Sequence, residues 1–164
     1  MKLWLPFLIL ALCPPAALSA EQATAIPPER QIAMQRQAAK FVVRPALEEH
    51  ECSPHTNARC NTTVSDTVNI FGCATDSGWY LNFHAISFSV PTVLTVTMRA
   101  TTYSPTVVLF NSVPEIVVAN NGPYGGSATI TTTVQPGNYL IAVGPGEKFL
   151  TGNYTLTLNC ATVS

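Results

Sequence analysis

One pattern, written twice near the end of the chain, restricts the fold more than any other feature. Gly137-Asn138-Tyr139-Leu140-Ile141-Ala142-Val143 is followed one loop later by Gly152-Asn153-Tyr154-Thr155-Leu156-Thr157-Leu158. Each copy is a turn glycine, a polar residue and a tyrosine, then an alternating run. Tyr139, Ile141 and Val143 fall on one face, and Tyr154, Leu156 and Leu158 do the same in the second copy. Period-two alternation behind a turn signal specifies a half-buried β-strand. The second copy runs directly into Cys160.

Upstream the same grammar continues. Val64 to Cys73 reads as a first strand, with Val68, Ile70 and Phe71 as its apolar residues. Trp79 to Val90 is the second; large groups on both faces at its start place it centrally in a sheet. Thr92 to Ala100 sets Val93, Thr95 and Thr97 against Leu94, Val96 and Met98. Strands over Val107–Phe110, Ile116–Ala119 and Ala128–Val134 follow. Between them lie Ser104-Pro105, Pro114 and the loop Asn120-Asn121-Gly122-Pro123-Tyr124-Gly125-Gly126. About eight short strands at regular spacing predict an all-β chain, a jelly-roll-like β-sandwich. Its core draws on Val68, Phe83, Phe88, Leu94, Val96, Met98, Val108, Phe110, Ile130, Tyr139, Ile141, Val143, Tyr154, Leu156 and Leu158.

The front of the chain is built differently. Residues 1–20 read as a signal peptide: Lys2, an apolar run from Leu3 to Leu12, then Ala17-Leu18-Ser19-Ala20 as a small-residue cleavage region. That apolar run is too short to span a bilayer, so the expectation is a secreted or periplasmic protein. Residues 21–51 read as a linker with a short helix, roughly Pro28 to Val42, ended before Pro45. Its expected role is a linker or a loosely packed pad, with a partner-docking helix as the alternative. Residues 52–164 then form the β-sandwich domain.

Cys52, Cys60, Cys73 and Cys160 remain after the signal. An even number in an exported chain implies two disulfides. Three pairings are possible; a local Cys52–Cys60 clip with a long Cys73–Cys160 tie is favoured. His50, Cys52, His55 and Cys60 also suggest zinc, but their spacing matches no standard finger. No metal and no cofactor is expected.

A net charge of −1, with only Arg99 and Lys148 as basic residues beyond Arg59, gives nucleic acid no electrostatic foothold. No catalytic constellation stands out either. Ser127 lacks the Gly-x-Ser-x-Gly setting of a nucleophile elbow. His84 falls mid-strand, where a cross-strand or surface role is expected. Carboxylates are too scarce for a glycosidic pair. The expectation is therefore not an enzyme but a binding module. Tyr103 and Tyr124 would supply flat aromatic faces, and Asn120, Asn121 and Asn138 amide hydrogen bonds. Trp79 is expected in the core.

Read in order, several of these residues form a longer motif. Tyr80 to Phe83 and Phe88 are followed by Leu94-Thr95-Val96-Thr97-Met98, Tyr103-Ser104-Pro105 and Val107-Val108-Leu109-Phe110. Asn120-Asn121-Gly122, Ser127-Ala128-Thr129-Ile130 and the two Gly-Asn-Tyr copies complete it. This stretch resembles the bacterial pre-peptidase C-terminal domain, a secreted β-sandwich module. The resemblance implies a stand-alone member that binds an extracellular polymer or a secreted protein, a peptidase included, or assists an exported enzyme. A partner or inhibitor of a secreted peptidase and a structural envelope component are the alternatives. The family's aspartates are replaced here by Ser104, Asn120 and Asn121. Calcium is bound by oxygen ligands, usually carboxylates among them, so no calcium site is implied.

Overall fold

The computed structural model describes residues 26–43, 56–70 and 73–163. The expected signal peptide, His50, Cys52, His55 and Phe71 lie outside the described residues. The elements in chain order are α1 (Pro28–Val43), β1 (Thr56–Asn57), β2 (Thr62–Val68), β3 (Cys73–Ala74) and β4 (Tyr80–Phe88). They continue with β5 (Thr92–Ala100), β6 (Pro105–Phe110), β7 (Ile116–Asn121), β8 (Ser127–Val134), β9 (Gly137–Pro145) and β10 (Gly152–Thr162).

Two sheets face each other. One has the order β2-β10-β5-β8; the other runs β1-β4-β9-β6-β7, with β3 on β4. All the long strands pair antiparallel. Leaving aside the two-residue strands, the chain crosses from sheet to sheet at each step except the β6–β7 hairpin, the connectivity of a jelly roll. The two Gly-Asn-Tyr copies open β9 and β10, central strands of opposite sheets.

Alternation decides which side chains meet between the sheets. Leu94, Val96 and Met98 of β5, Leu156 and Leu158 of β10, and Ile141 and Val143 of β9 are all buried in one cluster. The outward face of the four-stranded sheet is instead a row of threonines. Thr63 meets Thr157 at 3.0 Å, Thr97 meets Thr129 at 3.0 Å and Thr95 meets Thr131 at 3.1 Å. Exposed β-branched residues suit a pleated surface, so this face needs no further cover.

The other sheet does need one. Every residue of β6 is buried, on both faces. The cover is α1. Ile26, Met34 and Ala38 pack on Leu81, Phe83, Val108, Phe110 and Ala142 in a second cluster. Among the described side chains of α1, Arg30, Met34, Gln37 and Ala38 are buried, spaced as one helical face. The helix expected as a linker or loosely packed pad is thus an outer layer, with one face packed on the sheet and the other exposed. On that helix the apolar Ile32 is 50% exposed, whereas the charged Arg30 lies at 1%.

Three other expectations need correction. The first strand stops at Val68, and Ile70 beyond it is 58% exposed. Asn120 and Asn121, expected in a loop, are the last residues of β7. Cys60 pairs with Cys160, not with Cys52. The reason is register: Thr62 opposes Leu158 across β2 and β10, so stepping two residues further on each strand brings Cys60 opposite Cys160. Their Cα atoms are 5.4 Å apart. Cys73 is also disulfide-bonded.

Candidate functional site

The strand order gathers four connecting segments at one pole: residues 75–79, 101–104, 122–126 and 146–151. The last carries the most unusual backbone. Phe149 has φ 60°, a left-handed conformation in a bulky aromatic residue, and is 69% exposed. Such a residue costs about 1–2 kcal/mol in backbone strain, so the surroundings must hold it. Phe149 N–H donates to Gly78 O at 2.8 Å, and Gly146 N–H to Ser104 O at 2.6 Å. Glu147 accepts from Ser104 Oγ at 2.6 Å and Ser104 N at 3.3 Å. Gly78 has φ 88°, and a Cβ there would strike the Phe149 ring.

Below this loop lies Trp79, 3% exposed and therefore core, as expected. Lys148 Nζ sits 4.7 Å from its ring centroid and Arg30 Cζ 5.7 Å from it. The indole N–H points to Gly146 O at 3.4 Å. Arg30 reaches from the helix and donates to Pro145 O. Burial pulls its guanidinium down to about 10, with Glu147 acting in the opposite direction; it stays a cation at neutral pH. The helix, the 75–79 turn and Ser104 therefore all brace one loop. Its tip adds Leu150, 36% exposed.

The second exposed aromatic at this pole is Tyr124, at 69%. Its turn is closed by Gly126 N–H to Pro123 O at 3.0 Å, and tied down by Gly125 N–H to Tyr103 O at 3.1 Å and Ala100 N–H to Gly126 O at 3.1 Å. Gly125 carries φ 68°.

The remaining expected site residues do not join Tyr124. Tyr103 is fully buried, its hydroxyl 3.5 Å from Gly152 O, so its ring offers no stacking face. Asn120 donates Nδ2 to Thr129 O at 2.8 Å, bridging the edges of the two sheets, while its Oδ1 is buried without a partner. Asn121 Oδ1 accepts from Thr106 Oγ1 at 2.5 Å. Asn138 opposes Ser87 at the far pole and accepts from its hydroxyl at 2.6 Å. Phe149 and Leu150 were missed. The available signal was an aromatic-aliphatic pair inside the Gly146–Gly152 turn, where turn chemistry favours polar residues.

Beside the pole the outer face of the four-stranded sheet dips into an open groove of about 540 Å³, lined by Ser65, Thr67, Arg99, Thr101, Asn153 and Thr155 among others. Under it runs a polar network between the sheets. Tyr154 Oη lies 3.0 Å from Asn82 Nδ2, 2.9 Å from His84 Nε2 and 3.3 Å from Asp66 Oδ2. Asn82 Nδ2 also donates to Thr67 O at 3.1 Å. His84, expected as a cross-strand or surface residue, is wholly buried. It offers no base to an external substrate.

Burial pushes the Tyr154 phenol upward, with the Asn82 hydrogen bond opposing, and burial likewise raises Tyr103. In the unfolded chain both would ionise near pH 10; folded, they keep their protons. The native state then holds more protons, so stability is full below about pH 10 and falls above it by about 1.4 kcal/mol per pH unit for each tyrosine. Urea unfolding between pH 8 and 11.5 should show this decline, and Tyr103→Phe should halve its slope. An unchanged slope would mean that Tyr103 ionises in the native state.

No family model matches this chain, and no curated protein matches it. Among solved structures, PliG from Aeromonas hydrophila, a periplasmic lysozyme inhibitor of g-type lysozyme, matches with 11% identity and a TM-score of 0.49, covering 68% of this chain and 99% of that one. The chain is similar in structure to the pre-peptidase C-terminal domain of a collagenase from Bacillus anthracis, with 13% identity and a TM-score of 0.48, over 70% of this chain and 100% of that domain.

Proposed function

We propose that this is a non-catalytic binding module that meets its target through the loop pole. The observation that carries the reading is Phe149, 69% exposed on a left-handed backbone braced from three directions. An exposed aromatic held rigid adds contact area with little ordering cost on binding. Tyr124, on its own braced turn, supplies a second anchor. The burial of His84, the histidine among the described residues, argues against acid–base catalysis. The disulfide-bonded Cys60, Cys73 and Cys160 suit an oxidising compartment, which supports a secreted or periplasmic location. No described helix is long and apolar enough to cross a membrane.

The target is an extracellular polymer or a secreted protein, or the module helps an exported enzyme reach its target. A second reading, partner or inhibitor of a secreted peptidase, is favoured by the shape of the tip. Phe149 and Leu150 project from a loop rather than line a cleft, and a rigid projecting tip fits a concave protein surface. The test is retention of the oxidised domain on chitin, cellulose, peptidoglycan and collagen, beside a pull-down of secreted proteins. Retention on a polymer, lost in a Tyr124→Ala/Phe149→Ala double variant, supports the first reading. Recovery of one secreted peptidase whose activity falls on binding supports the second. A folded double variant that binds as well as the parent removes the pole from the site. Retention on nothing would leave the structural envelope role.

A further inference from the structure

The groove on the outer face of the four-stranded sheet has a chemistry of its own. Arg99 is exposed, and among the described residues it makes no ion pair and no side-chain hydrogen bond. The nearby acid, Asp66, is committed elsewhere. Its Oδ1 accepts from Thr67 N–H at 2.7 Å, and its Oδ2 lies 3.3 Å from the Tyr154 hydroxyl and 3.5 Å from Asn82 Nδ2. Asp66 is the one carboxylate in the groove lining, and these contacts are made to Thr67, Tyr154 and Asn82 rather than to Arg99.

Beside Arg99, Asp66, Ala100 and Tyr154, the rest of the groove lining is uncharged hydroxyls and one amide. Thr67 Oγ1 donates to Asn153 Oδ1 at 2.6 Å, which holds the amide beside the groove. Register places Ser65, Thr155 and Arg99 in one row across β2, β10 and β5. A row of hydroxyls ending in a planar guanidinium is a surface for a ligand with several hydroxyls and one carboxylate. The guanidinium fork matches a carboxylate bidentately, and no second cation lines the groove that would favour a phosphate chain or nucleic acid.

We infer that the groove around Arg99 binds a carboxylate-bearing saccharide, with Arg99 gripping the carboxylate and Asn153, Ser65 and Thr155 meeting the hydroxyls. The inference does not rest on the loop pole, because none of these residues belongs to the Tyr124 or Phe149 loops. Two sources share this chemistry: a polyuronide, and the lactyl-bearing sugar of peptidoglycan.

Titration of the full oxidised chain with trigalacturonate, with muramyl dipeptide and with neutral cellotriose tests it, followed by calorimetry or amide shifts. One acidic probe should bind and cellotriose should not; which acidic probe binds identifies the source. Arg99→Ala should weaken that binding about tenfold or more, and Arg99→Lys should restore only part of it, since a point charge lacks the fork. Binding should also weaken with added salt. Val117→Ala, at an exposed position on β7 of the other sheet, should leave it unchanged, so a general effect on the fold is separable from a loss at the groove. Binding of neither acidic probe, equal binding of cellotriose, or an Arg99→Ala variant with parental affinity would each overturn the assignment.

Discussion

Replacing Cys60 and Cys160 with serine should lower the unfolding free energy by about 4 kcal/mol, a large share of what a domain this size possesses. The bond joins residues 100 apart in sequence. In the loop-closure model a cross-link of that span removes close to the largest chain entropy that one bridge can. It also sits where the fold is open to fraying. β2 is an edge strand held only by β10 within its sheet, and Cys60 lies in the turn just before it. A side-chain bond from Asn61 supports the same corner, its Oδ1 accepting from Cys160 N–H at 3.0 Å. Urea unfolding without reductant should show the midpoint of the double variant falling sharply, with the slope rising as the denatured chain loses its cross-link and expands. A loss below about 1 kcal/mol would mean that β2 stays ordered in the denatured chain, so that the bond constrains little.

The sequence was unequally informative about such features. Strand identity was legible because alternation is local: Thr92 to Ala100 emerges as β5 with the bounds its pattern predicts. Jelly-roll connectivity followed from strand number and spacing. Pairings that depend on which strands become neighbours were not legible. Cys60 finds Cys160 only because β2 lies against β10, and nothing within either segment announces that. The helix shows the same limit. Its buried face includes Arg30 and Gln37, polar residues that a search for apolar periodicity discards. The clue to its docking lay elsewhere, in β6, whose apolar run Val107–Phe110 needs cover on both faces. His84 and Asn82 face the space between the sheets because Tyr154 and Asp66 answer them from the opposite sheet, a match made only in the folded state. Tyr103 and Tyr124 look equivalent as loop aromatics. One turns inward under Gly152 and the other sits on the tip of a glycine-closed turn.

Phe149→Ala should reduce affinity for the target recovered in the pull-down about a hundredfold, the loss typical of a central aromatic anchor, while stability changes by less than about 0.5 kcal/mol. The two halves of that expectation come from the same geometry. The ring is mostly in water, so deleting it gives up little burial in the free protein; only its edge rests on Gly78. The backbone, by contrast, carries a left-handed strain that the neighbouring segments maintain. Phe149→Gly makes the separation sharper. Glycine accepts φ near 60° without the penalty of about 1–2 kcal/mol, but adds about 0.5–1 kcal/mol of unfolded-chain entropy. The net should be a small gain in stability alongside the same loss of binding. A residue whose removal strengthens the fold and abolishes the interaction is retained for the interaction. If Phe149→Gly instead destabilised the domain and binding persisted, the loop would be a structural clamp over Trp79. The target would then have to be held by Tyr124 or by the Arg99 groove alone.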